Sequence, residues 1–211
     1  MNLLLCAATE LEIRPTIEFI NCHNKNIGIL ITGIGLTAAT HQLTRSVLKQ
    51  KPDFIIQAGI AGCIDLQLPL GKIVIVAEEV IGDLGVKENG QFKSLFNVGL
   101  VNRNEFPWKN GRLSNNMDSL KKTGLTIVNG VTVNEISTDP EKINFYKEEL
   151  NAGIETMEGA ALHYVALMEN IPFLQIRSLS NFAGERDKSK WVMDFAIAGL
   201  NVELQKILSK F

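Results

Sequence analysis

The chain has 211 residues, of which 45% are hydrophobic and 21% charged, with a formal net charge of −2. That is the composition of a globular chain, most simply one domain spanning residues 1–211, and its length is enough to bury a sizeable core. Positive and negative residues are mixed along it, so there is no basic stripe for nucleic acid and no polybasic segment for a membrane. Cys6, Cys22 and Cys63 lack metal-ligand spacing and read as free thiols of a reducing, cytoplasmic compartment. The N-terminal apolar run lacks a basic flank and reaches Glu10 too soon for an export signal.

In chain order, short apolar runs alternate with helical patterns. Strands are expected at Leu3–Ala7, Gly28–Thr32, Phe54–Ala58, Lys72–Ala77, Thr126–Gly130 and Phe173–Ser178. Their near-continuous apolar character suggests strands covered on both faces. Helices are expected over 10–20, 36–50, 140–149, 156–169 and 191–209, with Trp191 in the core. This alternation predicts an α/β chain with a largely parallel sheet. The segment 82–116 is rich in Gly, Asn and Pro and reads as a short-stranded excursion or a loop over a site.

Glu10 and Glu12 follow the first strand. The ordinary acidic bias of a helix start explains one of them. Glu12, beside the apolar stripe of Ile13 and Ile17, is the stronger candidate for chemistry. After the second strand comes Gly33-Ile34-Gly35, which with Ala38 matches a dinucleotide fingerprint in form. The acidic residue that would hold a ribose is missing, because Asp53 precedes its strand rather than ending it. The pattern is better read as a tight turn whose bare backbone can approach a ligand. Gly59-Ile60-Ala61-Gly62 is expected to form a second glycine-bearing turn at the same sheet edge.

Glu158 enters a helix whose positions three, four and seven residues on are Ala161, Leu162 and Val165. A carboxylate on an apolar face is costly unless something binds it. Arg177, in an apolar strand, needs a carboxylate or a ligand oxygen for the same reason, and Glu155 or Glu158 could serve as its structural partner. His23, His41 and His163 lie on unrelated elements and support neither a zinc site nor a serine triad.

Taken together, Gly33-Ile34-Gly35, Gly59-Ile60-Ala61-Gly62, Met157-Glu158 and Arg177-x-x-Ser180-Asn181 resemble the purine nucleoside phosphorylase/nucleosidase superfamily over nearly the whole chain. Within it, Gly82-Asp83-Leu84-Gly85 with Phe92, Gly130-Val131-Thr132-Val133, and Ser180-Asn181-Phe182 leading through Arg186-Asp187 to Trp191 are similar to the futalosine hydrolases, nucleosidases of an alternative menaquinone pathway. The resemblance implies a three-layer α/β/α sandwich on a mixed, twisted sheet, a homo-oligomer, a small nucleoside substrate, and catalysis with neither metal nor organic cofactor. It implies that Glu12 holds the attacking water, that Met157 and Glu158 line the ribose, that Arg177 neighbours Glu12, and that Ser180 and Asn181 reach the base. Gly33, Gly35, Ile60, Ala61, Gly62, Val133 and Phe182 complete the expected pocket. Methylthioadenosine/S-adenosylhomocysteine nucleosidases carry aspartate where this chain has Asn181 and serine where it has Ile60.

Asn181 has a chemical meaning of its own. An amide can accept from N7–H of a departing purine and donate to a 6-oxo oxygen, which an ionised acid would repel. That favours hypoxanthine as leaving group. Two carboxylates after strand one suit water better than a phosphate dianion, although Arg14 is close in sequence. Arg103, Phe106 and Trp108, in the turn-rich excursion, offer a cation and aromatic faces for a carboxyphenyl group on the 5′ side of the ribose. A methylthioadenosine/S-adenosylhomocysteine nucleosidase, a purine phosphorylase and a non-catalytic nucleoside-binding module remain the alternatives.

Overall fold

The computed structural model describes residues 1–23 and 25–210. Its strands are β1 (Leu3–Ala7), β2 (Ile27–Ile31), β3 (Phe54–Cys63), β4 (Ile73–Ile81), β5 (Gly85–Glu88), β6 (Gln91–Ser94), β7 (Leu113–Ser114), β8 (Thr126–Thr132), β9 (Ile154–Thr156) and β10 (Phe173–Phe182). Its helices are α1 (Glu10–Cys22), α2 (Leu36–Gln50), α3 (Met117–Lys121), α4 (Pro140–Glu148), α5 (Gly159–Met168) and α6 (Met193–Leu208).

The fold is mixed α/β. Strands β2, β1, β3 and β10 run parallel side by side, as continuous apolar runs require when both faces are covered. Beyond them the sheet does not stay open. β3 also pairs antiparallel with β9, β9 parallel with β8, β8 parallel with β4, and β4 antiparallel with β10. These pairings form a circuit that returns to β3, so the sheet is partly closed and barrel-like, not the open layer that the strand pattern suggests. Register shifts in β10 between Leu179 and Asn181 and in β4 between Val76 and Glu78 supply the local bends that closure needs.

Two apolar clusters cover opposite faces of β1 and β3. Leu3, Leu5 and Ile56 pack with Ile13 and Ile20 of α1 and Leu200 and Leu204 of α6. Leu4, Cys6 and Ile55 pack with Leu43 of α2 and Leu162 and Val165 of α5. A third cluster, with Ala61, Cys63, Val76, Ile154 and Leu179, is drawn from four strands of the circuit.

The structure extends β3 through Cys63, so Gly59-Ile60-Ala61-Gly62 is strand and not a turn. Residue 156 belongs to β9, a three-residue strand too short for periodicity to reveal, and α5 starts only at Gly159. Trp191 is half-buried beneath the Arg186 guanidinium, 5.5 Å from the ring centre, and is not a core residue. Among the described residues no helix is long and apolar enough to cross a membrane.

Candidate active site

The carboxyl ends of β1, β3 and β10 and the N-terminus of α5 bring the expected residues together. Thr9 caps α1, and its N–H and Oγ1 both donate to Glu12 Oε2 at 2.9 Å. The other oxygen, Oε1, accepts from the Ile60 N–H at 3.0 Å. Glu12 is therefore 7% exposed and held at both oxygens, so its carboxylate is pre-aimed rather than free to swing. Glu10 instead pairs at the surface with Arg14, at 3.1 Å, which takes Arg14 out of any anion site inside the cleft.

α1 is itself tied down where it carries Glu12. Asn201 of α6 donates from Nδ2 to the Glu12 carbonyl at 2.9 Å, and its Oδ1 accepts from Thr16 N–H at 3.0 Å and Thr16 Oγ1 at 2.6 Å. A side-chain amide thus bridges the two backbone groups of one helical step, next to Pro15.

Arg177 is 1% exposed. Its Nη2 donates to Gln57 Oε1 at 2.8 Å, and Nη1 lies 3.9 Å from Glu158 Oε2. A Cβ at Gly59 would strike Arg177 Nη1 and lie 2.8 Å from Glu12 Oε1, so both side chains are pressed on the bare Gly59 backbone. Arg177 thus pairs with Glu158, Glu12 and Arg177 meet across the Gly59–Ile60 backbone, and Glu155 is not the arginine's partner. Glu158 occupies the N-cap of α5, and its Oε1 accepts from Gly35 N–H at 2.9 Å. Gly33 and Gly35 have φ of +79° and +92°, the left-handed region that glycine enters without strain, and this turns the backbone amide toward Glu158.

Nearby, Asn181 pairs with Gly62 across β10 and β3. Its Oδ1 accepts from Ser180 Oγ at 2.8 Å, and its Nδ2 donates to the Phe182 carbonyl at 2.9 Å. Ser180 Oγ also reaches the Ala61 carbonyl at 3.3 Å. Val133 is fully buried and hydrogen-bonded through its N–H to Thr156. Met157 sits between β9 and α5, directly before Glu158. Past Val133, residues including Asp83, Phe92, Ser137, Lys142 and Tyr146 line a cleft of about 710 Å³ between the β5–β6 hairpin and α4. Its lining includes none of Glu12, Glu158 and Arg177.

The 5′-side candidates are not brought to this group. Trp108 packs edge-on against Phe96 and lies 6.1 Å from the Tyr164 ring, Phe106 is 67% exposed, and Arg103 is exposed. They share a surface loop over α5.

Several further buried polar residues, with no motif of their own in the sequence, support the site. Glu79 of β4 is fully buried, accepting from Gln175 Nε2 at 2.8 Å and Thr132 Oγ1 at 2.9 Å. Thr132 in turn accepts from Ala160 N–H at 2.8 Å, in the first turn of α5. Burial pushes the Glu79 carboxyl up to about 7, against the hydrogen bonds from Gln175 and Thr132 and the positive charge of Arg177. A Cβ at Gly130 or Gly159 would overlap the Glu79 carboxylate, so this seat exists only because both positions are glycine. The available signal was a polar residue inside an apolar strand, as at Gln57, Glu79 and Gln175.

Residues 7–209 match the family profile described as the Phosphorylase superfamily. The chain is 31% identical over 184 residues to the futalosine hydrolase of Thermus thermophilus, covering 86% of this chain and 80% of that protein. It is 30% identical over 192 residues to the 5′-methylthioadenosine/S-adenosylhomocysteine nucleosidase of Bacillus licheniformis, covering 85% and 79%. The structure of Helicobacter pylori futalosine hydrolase superposes with a TM-score of 0.82 at 15% identity, over 100% of this chain and 98% of that one, which shows the shared fold. With a buried acid and arginine and a half-buried amide gathered at the strand ends and a family match over nearly its full length, this chain belongs to the phosphorylase superfamily.

Proposed function

We propose that the protein is a nucleosidase that hydrolyses the N-glycosidic bond of futalosine, releasing hypoxanthine and dehypoxanthine futalosine for the futalosine route of menaquinone synthesis. The observation that carries this reading is the buried cluster of Glu12, Arg177 and Glu158 with an amide, Asn181, at the base end. In this reading Glu12 orients and deprotonates water, and its fixed position removes the orienting cost from the reaction step. Glu158 holds the ribose hydroxyls, with Met157 beside it, and Arg177 keeps the two carboxylates together. The sugar passes through an oxocarbenium-like centre while Asn181, turning from its contacts with Ser180 and Phe182, takes N7–H and O6 of the leaving base. Gly33, Gly35, Ile60, Ala61 and Gly62 supply close backbone, and Val133 and Phe182 supply apolar walls.

Hydrolysis is favoured over phosphorolysis because the water side presents Glu12, and Arg14 is engaged by Glu10 at the surface. Asn181 separates this reading from a 6-aminopurine nucleosidase. We read the chain as a self-associating homo-oligomer, as the superfamily resemblance implies. We read residues 1–211 as one cytoplasmic domain, with the three-layer sandwich describing its β2–β1–β3 half, where helices cover both faces.

The test is substoichiometric enzyme with futalosine in phosphate-free buffer, following free hypoxanthine. Multiple turnovers without phosphate are expected. An absolute need for phosphate would make the protein a phosphorylase, and one-to-one retention of intact nucleoside would make it a binding module.

A further inference from the structure

Glu155 is a buried carboxylate that the mechanism leaves unused. It is 7% exposed; Oε1 accepts from the Ser137 N–H at 3.2 Å, and Oε2 has no hydrogen-bond partner among the described residues. A buried carboxylate oxygen without a donor is costly and marks a place where a donor belongs.

Its place in the sheet says which donor. Gly62 of β3 pairs with Asn181 on one side and with Glu155 of β9 on the other. Residues paired across neighbouring strands share a face, so Asn181 and Glu155 flank the same bare glycine, with backbones two strand spacings or about 10 Å apart. A Cβ placed on Gly62 would lie 3.8 Å from the Glu155 Cβ, which shows that the two positions point the same way. Ala183 closes the space over Gly62, its Cα 3.8 Å and its Cβ 3.9 Å from such a Cβ, so a flat heterocycle held against Ala183 would meet an amide along one edge and a carboxylate along the next. In a 6-oxopurine the edge runs N7, O6, N1–H, in the order acceptor or donor, acceptor, donor. A carboxylate complements N1–H, whereas the N1 of a 6-aminopurine carries a lone pair and would face Oε2 as a second acceptor. The hydroxyls of Ser137 and Tyr146, buried and close enough to each other to interact, line the 710 Å³ cleft that begins beside Glu155.

We infer that Glu155 is a specificity-determining residue, its Oε2 accepting from N1–H of a 6-oxopurine base while Asn181 reads N7 and O6. The inference rests on the purine-nucleosidase reading above and adds to it a second, independent selector for the 6-oxo class. A carboxyl hydrogen bond of this kind needs no conformational change, because Ser137 already fixes the orientation of the group.

Titration calorimetry with free bases tests it apart from turnover. Wild-type protein should bind hypoxanthine at least ~30-fold more tightly than 1-methylhypoxanthine, whose N1 cannot donate, and than adenine. Glu155→Ala should weaken hypoxanthine and bring the hypoxanthine to 1-methylhypoxanthine ratio to within about threefold of one, since the removed side chain makes room for the methyl group. Glu155→Gln, nearly isosteric and so the safeguard should the alanine variant misfold, should narrow the hypoxanthine to adenine gap about tenfold by offering its NH₂ to adenine N1. Equal wild-type affinity for hypoxanthine and 1-methylhypoxanthine, unchanged ratios in folded variants, or no hypoxanthine binding would overturn the inference. Futalosine turnover, measured on the same preparation, judges the nucleosidase reading separately: turnover with unchanged base selectivity would sink only the role of Glu155.

Discussion

Glu12 shows how one residue can serve two ends. Its Oε2 closes the cap of α1 while Oε1 rests on the Ile60 amide, so the geometry that caps the helix also fixes the carboxylate we propose as the base. Glu12→Gln keeps the size of the side chain and removes its basicity. We expect kcat on futalosine to fall by at least ~10²-fold with KM changed little, because positioned base catalysis is typically worth ~10²–10⁴. An activity within threefold of wild type would show that Glu12 is only a cap. Asn181→Asp should shift kcat/KM from 6-oxo toward 6-amino nucleosides, measured as the ratio for an inosine-type and an adenosine-type substrate; an unchanged ratio would remove the amide argument. At this scale much was legible in the chain itself. Glu12, Glu158, Arg177 and Asn181 announce themselves as polar groups where apolar ones belong. Glu155 does not, because its meaning comes from pairing with Gly62, a neighbour 93 positions away in sequence that no local pattern predicts.

The elements act as mounts for these groups. α1 is fastened to α6 through Asn201, whose amide bridges the Glu12 carbonyl and the Thr16 amide. Asn201→Leu, close in volume, removes the amide's contacts with the Glu12 carbonyl, the Thr16 N–H and Thr16 Oγ1 in a buried place. A loss of roughly 1–3 kcal/mol in urea unfolding is expected. A fall in kcat of about tenfold with KM little changed should accompany it, since small misplacements of a catalytic group are expensive. Stability loss with an unaltered kcat would show that Asn201 is structural alone. Element positions were read well where the period was long. α2 and β1 fall at the expected residues, while β3 and β10 run past the expected ends because Gly59, Gly62 and Asn181 look like turn residues. β9 was hidden by brevity, whereas the β5–β6 hairpin lies inside the segment 82–116, whose turn residues suggest a short-stranded excursion or a loop.

For the molecule as a whole, the closed circuit of β3, β9, β8, β4 and β10 puts Glu79 in a fully buried seat under the N-terminus of α5. The continuous apolar runs predicted a covered sheet but not its closure, which depends on which edges meet. That burial has a pH signature. With its folded value raised from 4.5 to about 7, Glu79 holds its proton more tightly in the folded state, so its contribution favours folding below about 4.5 and is lost as pH rises toward 7. His163, which burial pushes down from 6.5 to about 4, works in the opposite direction: its contribution is present above 6.5 and lost as pH falls toward 4. The charged groups acting on Glu79 are Arg177 of β10 and Glu158 at the head of α5, while His163 of α5 also feels Arg177. The two slopes largely cancel between about pH 4.5 and 6.5. Glu79→Gln should uncover the His163 slope, giving a variant whose urea midpoint climbs with pH across that window while wild type stays nearly flat. Parallel curves would show that Glu79 does not titrate there.

The account as a whole is tested most directly by comparing kcat/KM for futalosine and for its 6-amino analogue on the same enzyme in phosphate-free buffer, following release of the free base. An amide at 181 and a carboxylate at 155 predict that hypoxanthine is released at least ~10²-fold more efficiently than adenine. Equal or greater efficiency on the 6-amino analogue would contradict it and place the chain with the 6-aminopurine nucleosidases instead.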